Sequence, residues 1–400
     1  MVNSLQEKAD KPLDIALFTD TFDEVNGVAK TFNRLAGFAA SRNVFLEIFA
    51  PGAEEIFPKS EKSLTERIGT VRIHRYRSRV PIQIYTDLRL DLKVVRNRIV
   101  LYCGQAGFDV IHTATPGSMG LTALYAAHHY RIPLVGSYHT SLPAYVQRHV
   151  QKLAGKLEVS GRRSEEATWK VMRWYYDHCR VVLAPSEFTK RELSAELNGP
   201  DLGIFSRGID PVRFHPDHRS EELRAENRVE VPLALYVGRV SVEKDLDILV
   251  ESFRGNEAVR LVVVGDGPYL SAMRDALPGA MFLGFRKGQE LSRIYASCDF
   301  FVFPSTTDTF GNVILEAMAS GLPVIVSDAG GPRELVEDGS TGFVTRAKDA
   351  ADFREKVDLL TRDEDRRRSM AGRARATAES RSWDSVFEKL LSVYARYASE

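Results

Sequence analysis

Short runs of consecutive apolar residues recur along the chain, and stretches with apolar residues three or four positions apart separate them. In the first half the runs are 14–19, 44–50, 109–113, 133–138 and 181–184; in the second half they are 233–237, 260–264, 281–283, 300–303 and 324–327. Because most runs are continuous and do not alternate, they predict strands covered on both faces by helices. Helical spacing is clearest at 29–40, 121–129, 244–252 and 291–297. The pattern predicts an α/β fold built on parallel sheets.

The length of the chain indicates more than one domain. A chain of 400 residues exceeds what a single hydrophobic core usually supports. Residues 208–230 interrupt the alternation with prolines and mixed charge, which indicates a linker. We therefore expect α/β domains at 12–207 and 231–378, and a cleft between two such domains is a preferred ligand site.

The end of the chain predicts one more helix. Within 379–400, Trp383, Val386, Leu390 and either Val393 or Tyr394 have helical spacing. We expect this helix to be able to pack back on the N-terminal domain.

Composition and charge exclude several classes of protein. The apolar fraction of 44% and the charged fraction of 27% are ordinary for a soluble globular protein, and a formal net charge of zero argues against nucleic acid as a partner. No apolar run is long enough to span a bilayer, and residues 1–12 lack the apolar stretch of a signal peptide. Cys103, Cys179 and Cys298 have neither zinc-ligand nor disulfide spacing, so we expect buried thiols in a cytoplasmic protein.

Two carboxylates eight positions apart, Asp308 and Glu316, mark the most informative segment. A helix that starts near Phe310 would hold Glu316 inward and leave Asp308 on the preceding loop. The first amides of that helix would form an anion site, at Phe310, Gly311, Asn312 and Val313. An anion site with a hydroxyl-binding carboxylate on each side suits a sugar nucleotide.

A glycine and two cations, Gly238, Arg239 and Lys244, follow the run 233–237. Glycine permits close backbone approach at the carboxyl end of a parallel strand, where open α/β sheets bind ligands. Arg239 can grip a diphosphate with its planar fork and Lys244 can act as a point charge. The alternative is two solvated cations on a loop, and the presence of the two-carboxylate motif favours the diphosphate.

Gly27 and His139 follow predicted strands of the first half. Gly27 opens a helix and could let the backbone approach a phosphate or sugar, although by itself an ordinary turn glycine is the better interpretation. His139 follows the run 133–138 and could hydrogen-bond a sugar hydroxyl or transfer a proton. A structural histidine is the alternative, and the position at a strand end favours the functional interpretation.

Two glycine motifs of the second half carry weaker signals. Gly265 and Gly267 match part of a dinucleotide fingerprint, but Pro268 follows and the third glycine is missing, so a tight turn before a helix is favoured. This disfavours a hydride-transferring dehydrogenase. Gly284 and Phe285 could form a shelf for a base.

Basic residues interleave with aromatic and apolar ones between Arg72 and Arg98, and a second basic cluster lies between Arg148 and Arg163. Such surfaces fit anionic lipid headgroups. The alternative is a solvated basic face, which is common for charge runs.

Together these motifs resemble the GT-B glycosyltransferases of family 4, which retain anomeric configuration, and the resemblance spans residues 15–383. Its strongest parts are 238–244, 265–268, and the acid-x7-Glu element at Asp308 and Glu316. Segments 206–216 and 138–140 resemble the branch of sulfoquinovosyl-diacylglycerol synthases and GDP-mannose-dependent α-mannosyltransferases. The resemblance implies two Rossmann-like doubly wound domains that face each other across a cleft.

The resemblance also implies roles for single residues. Arg239 and Lys244 would hold the donor diphosphate as catalytic groups, and His139 would contact the sugar near the reacting carbon. The donor-binding residues would be Gly27, Gly284, Phe285, Asp308, Phe310, Gly311, Asn312, Val313 and Glu316. No metal and no other cofactor is expected, because the two cations can replace Mg²⁺. The family commonly has Glu where this chain has Asp308, which alters the reach toward the donor sugar.

The implied reaction moves a hexose from GDP-mannose or a UDP-hexose to a hydroxyl of a lipid or glycolipid. The expected place is the cytoplasm, at the inner face of the cytoplasmic membrane if the basic segments bind anionic lipid. A soluble or polysaccharide acceptor is an alternative. Two rival functions are a sugar-nucleotide epimerase of the same architecture and a non-catalytic module that binds nucleotide sugars.

Overall fold

The protein is described by a computed structural model, which covers residues 13–23, 27–52, 56, 63–77, 81–85, 88–91, 96–139, 158–221, 225 and 230–399. The chain divides into two compact units. Unit 1 comprises Met1–Pro185, Lys190–Ser206 and Phe387–Glu400, and unit 2 comprises Ser186–Thr189 and Arg207–Val386.

Unit 1 is built around a mostly parallel sheet. Its described strands are β1 (Asp14–Phe18), β2 (Phe45–Gly52), β3 (Ser63–Ile68), β4 (Val71–Arg77), β5 (Pro81–Tyr85), β6 (Leu88–Asp91), β7 (Val110–Thr113), β8 (Leu134–Ser137), β9 (Val181–Ala184) and β10 (Asp201–Ile204). The helices are α1 (Gly27–Ser41), α2 (Arg96–Ala106), α3 (Ser118–Tyr130), α4 (Glu158–Tyr176) and α5 (Glu187–Glu196), whose first turn belongs to unit 2. The order across the sheet is β10-β9-β8-β7-β1-β2-β4-β3, with β3 antiparallel to β4 and with β5 and β6 as a separate antiparallel pair.

Unit 2 is built around a fully parallel sheet. Its strands are β11 (Leu233–Val237), β12 (Arg260–Val264), β13 (Met281–Gly284), β14 (Phe300–Phe303), β15 (Val324–Ser327) and β16 (Gly342–Thr345), in the order β13-β12-β11-β14-β15-β16. The α-helices are α6 (Asp247–Phe253), α7 (Leu270–Ala276), α8 (Gly288–Ser297), α9 (Asn312–Ala319), α10 (Ala350–Arg362), α11 (Glu364–Glu379) and α12 (Trp383–Ala398), which ends in unit 1. Short 3-10 turns lie at Pro216–His218, Val242–Lys244 and Gly331–Leu335.

The predicted α/β class and parallel sheets are confirmed. The central strands β11, β12, β14 and β15 are buried along nearly their whole length, as the continuous apolar runs predicted. Each unit has its own core, which is formed where its apolar strands meet the apolar sides of its flanking helices. The structure adds strands at 63–68, 71–77, 81–85, 88–91, 201–204 and 342–345, which the sequence analysis did not predict.

The helix predicted at 244–252 is interrupted. Val242–Lys244 is a 3-10 turn and α6 begins only at Asp247. Between them, Asp245 has a left-handed backbone with φ of 53°. A right-handed helix cannot pass through that conformation, so the predicted helix is divided in two.

The segment predicted as a linker, 208–230, begins inside unit 2. Ile209 and Phe214 are buried in the core of that unit. The Arg375 guanidinium, on α11, donates hydrogen bonds to the carbonyls of Pro211 and Phe214. The first part of this segment is therefore packed against its own unit by apolar and polar contacts.

The last helix uses a slightly different face from the one predicted. Leu390 and Tyr394 are buried as expected, but Phe387 and Tyr397 complete the buried stripe, whereas Trp383 and Val386 are only half-buried. In unit 1, Phe387 packs on Phe38 at 5.3 Å between ring centroids. The Tyr397 hydroxyl donates to the Asp201 carboxylate at 2.6 Å.

The first basic segment is less cationic than its sequence indicates. Arg72 donates to Glu47 at 2.9 Å, and Arg75 pairs with Asp23 and Glu66 at 3.0 and 2.8 Å. These carboxylates neutralise two of its cations within unit 1. Of the second basic segment, residues 148–157 lie outside the described residues. Where the structure describes the chain, none of its helices is both long and apolar enough to cross a bilayer.

All three cysteine side chains are buried thiols, as predicted. Cys103 and Cys179 lie in the core of unit 1 and Cys298 in the core of unit 2. Burial raises the pKa of the Cys103 thiol to about 12 and also raises that of Cys179. These thiols are therefore protonated and poorly reactive in the folded protein.

A buried histidine links the last helix to the sheet of unit 1. The two ring nitrogens of His112, on β7, lie 2.6 Å from the Tyr394 hydroxyl and 2.6 Å from the Ser137 hydroxyl. Burial lowers the pKa of His112 to about 3. The folded chain therefore keeps this imidazole neutral.

We predict that this histidine makes unit 1 sensitive to acid. An unfolded histidine takes up a proton near pH 6.5, but His112 in the folded chain does so only near pH 3. Its contribution to stability is complete above pH 6.5 and falls as the pH drops through that window, by about 1.4 kcal/mol per pH unit. Urea unfolding at pH 7.5 and 5.0 should show a smaller pH dependence for His112→Gln than for the wild type. His128→Gln, at an exposed position, is the control. Equal pH dependence in the wild type and His112→Gln would contradict the assignment.

Candidate active site

Two of the sequence motifs meet at the point in the unit 2 sheet where the order of the strands reverses. Strands β11 and β14 are neighbours, although β12 and β13 lie between them in the chain. From β11 the chain builds one side of the sheet, and from β14 it builds the other. Such a switch point, at the carboxyl ends of the strands, is where open α/β sheets bind ligands. The loop after β11 carries Arg239 and Lys244, and the loop after β14 carries Asp308.

Lys244 and Asp308 are bonded directly. The Lys244 ammonium donates to both carboxylate oxygens of Asp308, at 2.8 and 2.9 Å. The side chains are 21% and 22% exposed, so the pair is largely shielded from water yet still accessible. The structure therefore brings these two predicted residues together, as partners of each other.

Arg239 is accessible beside the same pair. Its side chain is 43% exposed, and its guanidinium lies 4.0 Å from the Glu243 carboxylate. Burial alone would raise the pKa of Glu243, but its own backbone amide and the positive charges of Arg239 and Lys244 lower it overall. The cluster of Arg239, Glu243, Lys244 and Asp308 thus holds two cations and two carboxylates, with no formal net charge.

Three residues that the sequence analysis missed fix the geometry of this cluster. Asp245, in its left-handed conformation, accepts hydrogen bonds from the Thr306 amide and hydroxyl at 2.9 and 2.7 Å. The Thr307 hydroxyl donates to the carbonyl of Glu243 at 3.1 Å. The loop after β14 is therefore tied to the turn after β11. An aspartate that tolerates a left-handed backbone is a weak signal in sequence, because most aspartates do not adopt it.

Helix α9 begins at Asn312, two residues after Phe310, near which the sequence analysis predicted its start. Gly311 precedes it with φ of 89°, a conformation that cannot belong to a right-handed helix, and no side chain caps this helix start. The Phe310 ring is buried in the core of unit 2. The first amides of α9 lie within a few residues of Asp308 in the chain, and the predicted anion site stays a prediction.

Glu316 lies on α9 and is oriented by a buried tyrosine. The Tyr295 hydroxyl, from α8, donates to the Glu316 carboxylate at 3.0 Å. Burial and the negative charge of Glu316 both raise the pKa of Tyr295, so its hydroxyl stays protonated and remains a donor. Tyr295 is a positioning residue that sequence reasoning missed, because its spacing in α8 is simply that of a core residue.

Gly265 and Gly267 let the loop after β12 pack closely against the backbone of the loop after β11. The Gly238 amide donates to the Val264 carbonyl at 3.0 Å, and the Val240 amide donates to the Asp266 carbonyl at 2.9 Å. A Cβ on Gly265 would lie 1.9 Å from the Gly238 oxygen, and no side chain fits there. The favoured interpretation, a tight turn, agrees with this geometry, and the close contact fixes the loop that carries Arg239.

Gly284 and Phe285, the predicted shelf for a base, lie at the end of the edge strand β13. Gly284 ends β13 with φ of 69°, and its carbonyl accepts a hydrogen bond from the Gly265 amide at 2.9 Å. Phe285 follows with 63% of its surface exposed. An exposed phenyl ring next to the loop after β12 is compatible with stacking on a base, and this role stays a prediction.

Gly27 and His139 belong to unit 1. Gly27 is the first residue of α1, and its carbonyl accepts a hydrogen bond from the Thr31 hydroxyl at 2.8 Å. His139 follows β8 and is buried, and its ring packs edge-on against Phe32 of α1 at 5.5 Å between centroids. The two predicted residues are therefore connected through α1, at the carboxyl ends of β1 and β8. Their roles stay predictions.

Among the described residues, no group of three or more His, Cys, Asp or Glu side chains is placed to hold a metal ion.

Comparison with known proteins decides the family. A family model described as Glycosyltransferase Family 4 matches residues 25–213, and one described as Glycosyl transferases group 1 matches residues 219–377. Sulfoquinovosyl transferase SQD2 of Arabidopsis thaliana is 31% identical, over 96% of this chain and 74% of that protein. The GDP-mannose-dependent α-mannosyltransferase of Mycobacterium tuberculosis is 32% identical, over 95% of this chain and 96% of that protein. This chain belongs to glycosyltransferase family 4.

The family 4 assignment confirms the predicted resemblance and its branch, and it makes the protein a hexosyltransferase. The solved structure of Anabaena HepE in complex with UDP-glucose matches the chain with a TM-score of 0.72 at 19% identity, over 96% of this chain and all of that one. This likeness confirms the predicted GT-B fold.

A glycine contact under the Asp308 loop generates a prediction. The Gly331 amide donates to the Asp308 carbonyl at 2.9 Å, and a Cβ on Gly331 would lie 2.0 Å from the Thr309 oxygen. Gly331→Ala should therefore destabilise the protein by about 1–3 kcal/mol, because the backbone must shift. The matched control is Gly372→Ala, within α11, where a Cβ meets nothing within 4 Å. That change should stabilise by about 0.5–1 kcal/mol. Urea unfolding measures both, and equal effects would refute the packing argument.

Proposed function

We propose that this family 4 enzyme transfers a hexose from a nucleotide-diphosphate sugar to a hydroxyl group with retention of anomeric configuration. One observation carries the proposal: the ammonium of Lys244 and the carboxylate of Asp308 meet at 2.8 Å at the switch point of a parallel sheet. The uncapped start of α9 follows within four residues of Asp308. These groups match a ligand that combines an anion with hydroxyls.

The cations serve the leaving group in this proposal. Departure of a nucleoside diphosphate builds negative charge on its β-phosphate. Lys244 and Arg239 would stabilise that charge, and the first amides of α9 would add the positive end of the helix dipole. Such preorganised charge stabilisation usually supplies the largest part of catalysis. We propose that the two cations take the place of a divalent metal and that no other cofactor is required.

The carboxylates bind hydroxyls in this proposal. Glu316 would accept hydrogen bonds from the ribose, with its orientation set by Tyr295. Asp308 would accept hydrogen bonds from the donor sugar. For Gly284, Phe285, Gly27 and His139 the donor contacts implied by the family remain predictions.

We propose GDP-mannose or a UDP-hexose as the donor. The Mycobacterium tuberculosis relative is named as GDP-mannose-dependent, and the HepE structure contains UDP-glucose. The sequence branch, with its sulfoquinovosyl transferase relative, favours a lipid or glycolipid acceptor. We place the reaction at the cytoplasmic face of a membrane, with a soluble or polysaccharide acceptor as the alternative.

The first prediction from this proposal concerns turnover. Lys244→Met should lower kcat by about two to three orders of magnitude, as expected for the loss of one charge-stabilising donor. Glu316→Gln should mainly weaken donor binding. Release of nucleoside diphosphate from GDP-mannose and UDP-glucose, with a lipid extract or a soluble sugar as acceptor, measures both effects. Lys356→Met, on α10, is the matched control. If Lys244→Met keeps turnover within a few-fold of the wild type, the assigned role is wrong.

The second prediction concerns the membrane. Vesicles rich in phosphatidylglycerol should bind the protein at low salt, and vesicles of phosphatidylcholine should not. The variant Arg148→Glu, Lys152→Glu, Lys156→Glu should bind at least about tenfold more weakly, since each cation near an anionic surface contributes about 1 kcal/mol. The control reverses three exposed arginines of unit 2, Arg362, Arg366 and Arg368. Equal flotation of both variants would count against the second basic segment.

A further inference from the structure

We propose that Asp308 competes with the donor diphosphate for the ammonium of Lys244, and so favours the intact donor over the spent nucleoside diphosphate. The inference rests on the proposed function, because it assigns the diphosphate to Lys244. It adds one property to the proposed roles. The Asp308 carboxylate binds Lys244 when the diphosphate carries no sugar, and binds the sugar hydroxyls when the donor is intact.

The contact itself sets up the competition. An ammonium has three N–H donors, and Asp308 accepts from Lys244 with both of its oxygens. A phosphate oxygen that binds this ammonium meets a carboxylate of the same charge. Because both side chains are about four-fifths shielded from water, solvent screens that repulsion only in part. The diphosphate must therefore displace Asp308 or share Lys244 with it at a cost.

The backbone around Asp308 is held independently of the ion pair. Three contacts anchor it: Thr306 to the Asp245 carboxylate, the Thr307 hydroxyl to the Glu243 carbonyl, and the Asp308 carbonyl to the Gly331 amide. None of them uses the Asp308 carboxylate. The carboxylate can therefore leave Lys244 by a side-chain rotation while the loop stays in place.

The attached sugar decides whether this displacement is costly. A largely buried carboxylate without a partner is unfavourable, and a hydrogen-bonded one is much less so. The sugar of an intact donor offers hydroxyls that can donate to the displaced Asp308. A nucleoside diphosphate has no sugar on its β-phosphate and offers no such donor there. Asp308 therefore weakens the binding of product and leaves the binding of donor nearly unchanged, which limits product inhibition.

Calorimetry on the full chain tests the inference. The probes are GDP and UDP, with GDP-mannose and UDP-glucose as the intact donors. We expect Asp308→Asn to bind the preferred diphosphate about tenfold more tightly than the wild type, equal to about 1.4 kcal/mol. The intact donor should bind no more tightly than to the wild type, and product inhibition should strengthen in parallel. Asp308→Ala is the second variant. It also removes the side-chain oxygen with which the asparagine of the first variant could still contact Lys244.

Two controls separate competition from a general change of charge. Glu243→Gln removes a carboxylate that lies 4.0 Å from the Arg239 guanidinium, whereas the Lys244 ammonium donates to Asp308. It should therefore tighten diphosphate binding less than Asp308→Asn does. In a Lys244→Met background, Asp308→Asn should no longer tighten diphosphate binding, because the contested ammonium is gone. An undiminished effect in that background would reduce the inference to simple charge removal.

The possible results separate this inference from the proposed function. Equal diphosphate affinity in the wild type and in both Asp308 variants would overturn the competition and leave the donor site intact. Equal tightening by Glu243→Gln would overturn it as well. If the wild type binds none of the four nucleotides at millimolar concentration, the proposed function fails, and the inference fails with it.

Discussion

Unit 2 depends on places where one backbone approaches another with no room for a side chain. The carbonyl of Gly238 lies where a Cβ of Gly265 would be, and the carbonyl of Thr309 lies where a Cβ of Gly331 would be. These contacts join the loops that follow successive strands into one layer of peptide groups. Cations and carboxylates borne on such a layer keep their mutual distances, because the layer cannot move without breaking several backbone hydrogen bonds.

The charge pattern on that layer is balanced. Each cation of the cluster lies close to a carboxylate. Glu243 is 4.0 Å from Arg239, and Asp308 is 2.8 Å from Lys244. Paired charges are less costly to shield from water than isolated ones. In the competition proposed above, an anion that reaches Lys244 displaces Asp308 or shares the ammonium with it. Displacement needs only a side-chain rotation, because contacts that do not use the Asp308 carboxylate hold its backbone.

The sequence predicted those elements of the fold that have a clear pattern of apolar residues. Runs such as Leu233–Val237 and Phe300–Phe303 became central strands because burial on both faces demands continuous apolar residues. Ser63–Ile68 was missed because it is a mostly exposed edge strand, with no such run. Asp245 divided a predicted helix, since a single left-handed residue leaves little trace in apolar spacing.

For the same reason, the sequence predicted residues of the candidate site but not the contacts between them. Motif spacing predicted Lys244, Asp308 and Glu316 as site residues, because charged residues in the segments that follow predicted strands are informative. That Lys244 bonds Asp308, and that Tyr295 holds Glu316, depends on tertiary packing between separate elements. Sequence spacing within one element carries no information about such pairs.

The three buried thiols have a practical consequence. Cys103 and Cys179 lie in one unit and Cys298 in the other, so each unit carries its own internal reporter of unfolding. Pulsed alkylation followed by peptide mass spectrometry can time the opening of each unit separately, without any introduced label. The order in which the thiols become modified would reveal whether the two units unfold as one cooperative body or one after the other.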